Sequence, residues 1–284
     1  MRAGYYETLG NPAETVRVGP IETPEPGLGE VRVRIQVSGI NPSDLKRATG
    51  WSGAPMAHAR VTPNNDGAGV IDVVGAGVDA ARVGERVWVY EATLVGRKQG
   101  TAAEYCVVPE AYAIRLPDRA DFAFGAQIGV PALTAHRAVF ADGPVKGLTV
   151  LVAGGGGSVG RFAVQLAKWG GAHVIATAGS PAQMAIAKAA GADIVLNYRD
   201  QDLAAQIKGA AAATPSGGVD RVVEVHFMAN VTMDADVLKT NGSVSIYGSS
   251  DKRDEEPVVP MRPLLGKGIN LRWVMVYALA PEPR

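Results

Sequence analysis

A glycine-rich loop carries the clearest chemistry in this sequence. Its residues, Ala153-Gly-Gly-Gly-Gly-Ser-Val-Gly160, follow a short apolar run and open a segment with helical spacing. This setting is typical of a dinucleotide fingerprint, because glycines let the main chain approach a pyrophosphate and the first helical N–H groups face it. A tight turn without a ligand is the alternative, and the flanking elements favour binding. The residues predicted to contact the cofactor here are Gly155, Gly157, Ser158, Val159 and Gly160.

The end of the next strand indicates which dinucleotide binds. An NAD site usually has an acidic residue about 20 residues after the glycines, which holds the ribose 2′-hydroxyl. Residues 175–180 are Ile-Ala-Thr-Ala-Gly-Ser, so no acid is present and NADP(H) is favoured, although residues 178–186 contain no Lys or Arg either. Tyr198 and Arg199 could bond a 2′-phosphate, whereas an ordinary strand-end aromatic is an equal alternative for Tyr198. The predicted contacts after the strands are Thr177, Ser180, Tyr198, Arg199, Phe227 and Gly248.

Three polar residues in the first half could act on a carbonyl group. Asn41, Asp44 and Lys46 follow a segment with the alternation of a strand. An amide or an ammonium group at such a place can stabilise negative charge that develops on a carbonyl oxygen. On pattern alone, a solvated Asn-Pro-Ser-Asp cap that leads into a short helix is the simpler interpretation. The four histidines form no metal-ligand spacing, and no nucleophile elbow or phosphate-binding Walker motif is present.

The elements that position these residues change in character near residue 120. In Glu30–Val37, apolar and polar residues alternate as in a half-buried strand, and residues 1–120 are predicted to form a mostly antiparallel β domain. In residues 121–284, six apolar runs alternate with helical segments, which predicts an α/β domain with a Rossmann-type doubly wound parallel sheet. The predicted strands of this sheet are Leu148–Ala153, His173–Thr177, Ile194–Tyr198, Val219–Val225, Ser243–Tyr247 and Leu271–Tyr277.

Composition narrows the class of protein. The 284 residues include 28 basic and 28 acidic ones, so the formal net charge is zero and nothing points to nucleic acid or an anionic membrane as partner. Cys106 is the only cysteine, which excludes an intrachain disulfide and a cysteine-based structural zinc site. Because neither a signal-peptide run nor a membrane-spanning run is evident, we expect a soluble cytoplasmic protein.

Several stretches together resemble the medium-chain dehydrogenases/reductases, and within them the zinc-free NADPH:quinone oxidoreductases of the zeta-crystallin branch. Besides the glycine loop, these stretches are Ser38-Gly-Ile-Asn-Pro-Ser-Asp44, Asp66-Gly-Ala-Gly-Val70, Gly129-Val-Pro-Ala-Leu-Thr-Ala135 and Gly191-Ala-Asp-Ile-Val-Leu-Asn-Tyr-Arg199. The resemblance implies a GroES-like β domain followed by a Rossmann domain. It also implies that the stretch with Asn41, Asp44 and Lys46 faces the nicotinamide, and that Thr134 lies near the nicotinamide ribose or the substrate.

The resemblance also implies that zinc is absent. The zinc-dependent alcohol dehydrogenases of the superfamily have a Cys where this chain has Asn41 and a His where it has Asn65. An Asn at both places removes the thiolate and imidazole ligands, so we predict no metal site. This chain departs from the family pattern at Asn64, where Gly is usual. It departs again after the last Rossmann strand, where Ala280-Pro-Glu-Pro-Arg284 replaces a helix and strand that return to the β domain. The chain is therefore either truncated or closes its β domain in another way.

These features predict a reductase that transfers hydride from NADPH to a quinone or a similarly activated carbonyl. An alternative is an enone or alkenal reductase, for which Lys46 or His226 would supply a proton. A non-catalytic NADPH-binding structural or sensor protein is the third possibility. The apolar run Leu271–Tyr277 should be the edge strand of the Rossmann sheet, and we predict a homodimer that pairs through this strand near Trp273 and Met275.

Overall fold

The computed structural model describes residues 1–93, 96–248 and 258–278, and the chain forms two compact units, Met1–Val130 and Pro131–Arg284. The first unit extends past residue 120, where the sequence places the boundary. Residues 121–130 belong with the β domain because Val130 donates its N–H to the Asp66 carboxylate at 2.8 Å. Close packing of this segment adds to the effect, since a Cβ on Gly125 would lie 2.9 Å from the Ala68 Cβ.

Antiparallel strands form the core of the first unit. Their bounds are β1 Arg2–Tyr5, β2 Arg17–Pro20, β3 Glu30–Ser38, β4 Gly67–Val74, β5 Arg86–Val89, β6 Tyr105–Pro109 and β7 Ala113–Arg115. Strands β3 to β7 pair in the order β6-β3-β4-β5-β7, and β1 pairs with β2. The predicted alternation in β3 is confirmed, because Val31 and Val33 are fully buried. The sequence analysis misses β1, β2 and β7, which have only three or four residues each and too few positions to show a period.

Short helices accompany this sheet, namely α1 Pro12–Thr15, α2 Pro42–Thr49 and α3 Phe122–Gly125. The short helix expected after the Asn-Pro-Ser-Asp cap is confirmed as α2. Helix α2 begins after Asn41, whose backbone N–H donates to the Asp44 carboxylate at 2.9 Å, and Pro42 occupies the first helical turn. The helix ends at Gly50, which takes the left-handed φ of 75° that favours glycine.

The second unit is built on six parallel strands. They are β8 Thr149–Val152, β9 His173–Ala178, β10 Ile194–Asn197, β11 Val219–Glu224, β12 Leu238–Ile246 and β13 Asn270–Trp273, in the spatial order β10-β9-β8-β11-β12-β13. This order confirms the predicted doubly wound sheet. The helices are α4 Leu133–Phe140, α5 Ser158–Trp169, α6 Pro181–Ala189, α7 Leu203–Ala212, α8 Phe227–Val237 and α9 Met261–Gly266. One apolar core lies on the α4–α5 face of the sheet and the other on the α7–α8 face.

The last strand is shorter than predicted. The run Leu271–Tyr277 is wrong as a continuous strand, because β13 ends at Trp273 and Val276–Ala278 form a 3₁₀ turn. The Val274 N–H donates to the Ile246 carbonyl at 2.8 Å, and after this bond the chain turns so that Val274 and Val276 are buried in the α4–α5 core. Burial of these two valines therefore removes the segment from the sheet edge. Residues Ala280–Arg284, where the sequence departs from the family pattern, lie outside the described residues.

Membrane-spanning helices are absent from the part of the chain that the structure describes, since none of its helices combines the necessary length and apolar character.

Candidate functional site

The glycine loop joins β8 to α5 in a tightly packed turn. Three of its glycines have no room for a side chain: a Cβ on Gly155 would lie 2.7 Å from the Ala176 Cβ, one on Gly156 would meet the Gln183 backbone, and one on Gly160 would collide with the Gly154 carbonyl. Gly157 differs, because among the described residues a Cβ there would meet only the Gly154 carbonyl oxygen, at 3.3 Å. The loop thus presses against the sheet on one side and is open on the other.

The open side of the loop fits a pyrophosphate. Helix α5 begins at Ser158, and Gly157 before it has no side chain that could cap the first turn. The N–H groups of Ser158 and Val159 have no partner inside a helix, so they are available to an anion. No acidic residue lies in this first turn, and both Gly157 and Ser158 are exposed. The loop has the geometry and the positive dipole end that a dinucleotide needs.

Thr177 holds this loop on the neighbouring strand. Its carbonyl accepts the Gly155 N–H at 2.8 Å, and its hydroxyl accepts the Gly154 N–H at 3.3 Å. The side chain is buried and directed at the loop backbone rather than at solvent. Thr177 was predicted as a cofactor contact, whereas the structure shows it supporting the glycines that form the cradle.

The structure brings Ser180, Tyr198 and Arg199 together beyond the end of β9. The Tyr198 ring lies against Gly179, where a Cβ would collide with it, and the guanidinium of Arg199 donates to the Gly179 carbonyl. The Ser180 hydroxyl caps α6 by accepting the Gln183 N–H at 3.3 Å. Tyr198 and Arg199 are both exposed. A cationic guanidinium therefore lies at the place where the sequence lacks an acid.

The turn after β11 also lies beside the glycine loop. A Cβ on Gly154 would lie 3.2 Å from Cγ1 of Val225, and a Cβ on Gly248 would lie 2.7 Å from the Val225 carbonyl oxygen. Gly248 thus leaves space for this turn. Phe227 does not match its predicted role, because its side chain is 2% exposed within the α7–α8 core and contacts Trp273 edge to face at 5.7 Å. Only its backbone could reach a cofactor.

A buried polar network surrounds the start of α2 in the first unit. The Asn41 side-chain nitrogen donates to the Asp66 carboxylate at 2.7 Å and to Asp44 at 3.3 Å. The Asn65 amide donates to Asp44 at 3.0 Å, and its oxygen accepts the Thr93 hydroxyl at 2.5 Å. All of these side chains are buried. The predicted role of Asn41 as a donor to a substrate carbonyl is not supported by this geometry, because its amide nitrogen is already bonded to two carboxylates.

The two carboxyl groups of this network are easier to protonate than usual. Burial raises the pKa of Asp66 to about 6, against the N–H donors of Val130 and Asn41, which lower it. Burial also raises the pKa of Asp44, again opposed by hydrogen bonds from Asn41. Desolvation disfavours a charged carboxylate, and the surrounding amide donors only partly offset it.

Asn64 explains one departure from the family pattern. It has a φ of 76°, in the left-handed region where glycine is usual and Asn is tolerated best among the other residues. Its amide donates to the Ser38 hydroxyl at 2.9 Å, which in turn lies 2.8 Å from the Thr101 hydroxyl. The Asn thus keeps the backbone of a glycine position and adds a hydrogen bond.

Lys46 and Thr134 complete the predicted site residues. Lys46 lies on α2 with its Nζ 4.9 Å from the centre of the Trp51 ring, and it is partly exposed, unlike Asn41 and Asp44. Thr134 is buried in α4 of the second unit. His226, the alternative proton donor, precedes α8, and its backbone N–H donates to Glu224.

The chain is similar to known oxidoreductases over nearly its whole length. Residues 27–118 match the family model of the alcohol dehydrogenase GroES-like domain, and residues 158–283 match that of the zinc-binding dehydrogenases. The quinone oxidoreductase of Pongo abelii is 31% identical over 284 residues, which cover 99% of this chain and 82% of the relative. The chain belongs to the quinone oxidoreductase family. It is a medium-chain dehydrogenase/reductase with a GroES-like domain and a Rossmann domain, as predicted.

Solved structures of this superfamily have the same fold. An NAD-dependent alcohol dehydrogenase has a TM-score of 0.84 and 31% identity, over 96% of this chain and 84% of that chain. A mycobacterial protein complexed with NADPH has a TM-score of 0.78 and 27% identity, over 98% of this chain and 82% of that chain. Membership of the quinone oxidoreductase family makes this chain an oxidoreductase enzyme that uses a pyridine nucleotide. Its neighbours differ in cofactor, so the choice between NADH and NADPH depends on the residues after β9.

Two residues that support the candidate cofactor site were not predicted from the sequence. Gln183 accepts the Gly179 N–H at 3.3 Å beside the Tyr198 ring, and Glu224 bonds the turn after β11. Gln183 is an uncharged residue inside a helical pattern, and Glu224 follows the two buried valines Val222 and Val223 at the end of β11. The second feature is a signal, because a carboxylate at the end of a buried strand needs a partner.

Proposed function

We propose that this chain is an NADPH-dependent reductase that transfers hydride to a quinone or a similarly activated carbonyl without zinc. The observation that carries the proposal is the hydrogen-bonded network of Asn41 and Asn65. These residues occupy the places of a zinc-binding Cys and His in the resembling alcohol dehydrogenases. Their amides donate to Asp44 and Asp66 in a buried network of hydrogen bonds, which supports a reaction without zinc. Among the described residues, no group of His, Cys, Asp and Glu is arranged to hold a metal ion.

Residues of the second unit would hold the cofactor. The glycine loop and the first turn of α5, at Ser158 and Val159, fit the pyrophosphate, as argued above. Arg199 and Tyr198 would bind the 2′-phosphate, because a guanidinium pairs with phosphate and no carboxylate at the end of β9 repels it. When bound, the nicotinamide supplies a hydride.

Lys46 is the residue that we assign to the acceptor. Its ammonium group can stabilise negative charge that develops on the acceptor oxygen, and the exposed Trp51 ring beside it offers a flat apolar surface. Asn41 and Asp44 act on Lys46 indirectly, because their hydrogen bonds fix the start of α2. A quinone needs no strong general acid, since its product oxygen can take a proton from water.

An enone or alkenal reductase is the second candidate. Protonation next to a carbonyl requires a donor, and Lys46 is the ionisable residue of the α2 group that is partly exposed. The two candidates differ in what they need from this residue. A quinone reductase would keep much of its rate as Lys46→Arg, because the charge is retained. An enone reductase would lose its rate, because a guanidinium does not give up a proton in proteins.

Cofactor oxidation tests the proposal directly. The purified protein would be mixed with NADPH and with a panel of quinones, enones and aldehydes, and the loss of NADPH absorbance would be followed with and without a chelator. We expect quinones to be reduced fastest, with the same rate after chelation and without stoichiometric zinc in elemental analysis. A rate that vanishes with the chelator and returns with zinc would contradict the proposal.

A further inference from the structure

Glu224 is a fully buried carboxylate at the carboxyl end of β11, the strand next to the glycine-loop strand β8. It accepts the backbone N–H of His226, and both of its oxygens accept the side-chain amide of Asn230 at 3.1 Å. Its backbone carbonyl accepts the Tyr247 N–H at 3.0 Å. Glu224 therefore ties β11 to the first turn of α8 and fixes the two residues between them.

Asp234 is a second buried carboxyl group on the same side of the sheet. It lies on α8, it is fully buried, and neither of its oxygens has a hydrogen-bond partner among the described residues. Burial and then the neighbouring charge of Glu224 raise its pKa well above the usual value. An unpartnered ionised carboxylate inside an apolar core is costly, so Asp234 is neutral when Glu224 is charged.

The turn that Glu224 fixes is the one that touches the glycine loop. Val225 follows Glu224 directly, and its side chain and carbonyl lie against Gly154 and Gly248, where a Cβ would come within 3.2 Å and 2.7 Å. In a parallel sheet of this type, ligands bind beyond the carboxyl ends of the strands. A shift of Val225 would therefore be transmitted to the cradle that we assign to the cofactor.

We propose that Asp234 holds a proton beside Glu224, and that this carboxyl pair positions the turn between β11 and α8 for the cofactor. The inference rests on the proposed cofactor site. Asp234 and Glu224 are positioning residues, since neither is exposed toward a ligand. Loss of the proton places two negative charges side by side in the core, which pushes Glu224 away from the His226 N–H and loosens the turn.

The other charged groups on elements packed against α8 have partners elsewhere. They are Asp220 and Arg221 on β11, Lys239 on β12, Lys208 on α7, Asp236 on α8 itself, and Lys267 after α9. Asp220 pairs with Lys239 at 2.7 Å and Lys208 with Asp236 at 2.6 Å. Arg221 donates to the carbonyls of Val139, Asp142 and Gly143, and Lys267 to those of Ala235, Asp236 and Leu238. Arg262 on α9 is exposed. These contacts leave Glu224 as the charge that acts on Asp234.

Asp234→Asn tests the effect of ionisation alone, because the amide has nearly the same size and shape as the neutral acid but cannot ionise. The dissociation constant of NADPH would be measured by protein fluorescence over a pH series from mildly acidic to alkaline, because burial and the charge of Glu224 raise the pKa of Asp234 well above its usual value. We expect the wild-type constant to rise about threefold or more relative to Asp234→Asn over this range. Asp236→Asn is the control, since it makes the same change two residues further along α8 at an exposed ion pair.

Parallel profiles of wild type and Asp234→Asn would overturn the inference, as would the same change of profile in Asp236→Asn. Glu224→Gln provides a second variant if Asp234→Asn fails to fold: with the neighbouring charge removed, the profile should also become flatter. Failure of the proposed function has a different signature, because wild type would then bind no NADPH at any pH. In that case the carboxyl pair would be tested by thermal unfolding. We expect the melting temperature of wild type to fall below that of Asp234→Asn as the pH rises. A difference in melting temperature that does not change with pH would reject the proton on Asp234.

Discussion

Asn41 shows how one residue can determine the chemistry of a site without touching the substrate. Its amide nitrogen donates to Asp44 and Asp66, two buried carboxyl groups that also accept other N–H donors, those of Asn65 and Val130 respectively. A thiolate at this position would add a third negative charge unless a metal neutralised it. The amide donates to both carboxyl groups without adding a charge, and the groups that we propose to act on the acceptor are its partly exposed neighbours.

The raised pKa of Asp66 predicts how stability depends on pH. The native state keeps the Asp66 proton up to about pH 6, whereas the unfolded chain loses it near pH 3.8. Stability therefore falls as the pH rises between these values, by at most about 3 kcal/mol, and the loss is complete above the native pKa. Asp66→Asn should flatten this slope in urea unfolding of the first unit, while the exposed Asp118→Asn should not. A steeper slope in Asp66→Asn would contradict the assignment.

Arg199 predicts the cofactor preference. Its guanidinium lies at the Gly179 carbonyl beside Tyr198, where the sequence lacks the acid of an NAD site. We expect wild type to bind NADPH more tightly than NADH. Arg199→Ala should weaken the binding of NADPH by roughly tenfold, or ~1.4 kcal/mol, and leave the binding of NADH nearly unchanged. Ser180→Asp should reverse the preference by repelling the 2′-phosphate. Fluorescence titration of both cofactors checks this, with the exposed Arg262→Ala as the control for loss of one charge.

If Arg199→Ala weakened the binding of NADPH and of NADH equally, Arg199 would support the loop at Gly179 and would not contact the 2′-phosphate. The same ratio in wild type and in Ser180→Asp would place the 2′-phosphate elsewhere.

At the level of elements, the packing of α5 against its loop is the feature on which binding depends. A Cβ on Gly160 would collide with the Gly154 carbonyl, which is backbone and cannot move aside cheaply. Gly160→Ala should therefore displace the start of α5 and lower the melting temperature. It should also weaken the binding of either cofactor by more than tenfold. Gly209→Ala is the matched control: Gly209 lies in α7 with nothing within 4 Å of an added Cβ. Because Ala is the better helix former, we expect this control to be stabilised by up to about 1 kcal/mol.

Cofactor titration and thermal unfolding of both glycine variants provide the measurements. If Gly160→Ala bound like wild type, the loop would have to be looser than the packing indicates.

The sequence could predict the elements that have a strong period and could not predict those that depend on distant partners. Apolar runs in the sequence identify β8 and β9 almost to their observed bounds. The end of β13 depends on the burial of Val274 and Val276 against another helix pair, which a linear apolar run does not reveal.

The same distinction applies to the site. The glycine loop is local in sequence, so its geometry follows from the residues and their order. The bonding of Asn41 to Asp66, and the closeness of Glu224 and Asp234, depend on contacts between elements far apart in the chain. Residue type alone could therefore indicate polar candidates near the active site but could not decide which of them are buried in the network.

At the scale of the whole molecule, two kinds of site chemistry are divided between two units. The first unit, Met1–Val130, carries the α2 network and Lys46, and the second carries the dinucleotide cradle. The hydride transfer that we propose would need both, so variants in either unit should lower turnover. Their effects should differ in kind: changes at the cradle raise the dissociation constant of NADPH, whereas changes at Lys46 lower kcat with cofactor binding intact.

The open edge of the parallel sheet predicts a homodimer. Strand β13 pairs only with β12 in the described sheet. Trp273 at the end of this strand is 69% exposed, and Met275, which lies after the strand has ended, is 59% exposed. An exposed apolar edge is a surface for pairing with another strand, and a formal net charge of zero gives little repulsion between copies. We expect Trp273→Glu to convert the dimer to a monomer in light scattering, because a carboxylate would have to be buried in the contact. Trp169→Glu is the control, since Trp169 is also exposed and also contacts a Phe edge to face, yet lies at the end of α5. A wild-type monomer at micromolar concentration, or dissociation by Trp169→Glu alone, would show that this edge is not the contact.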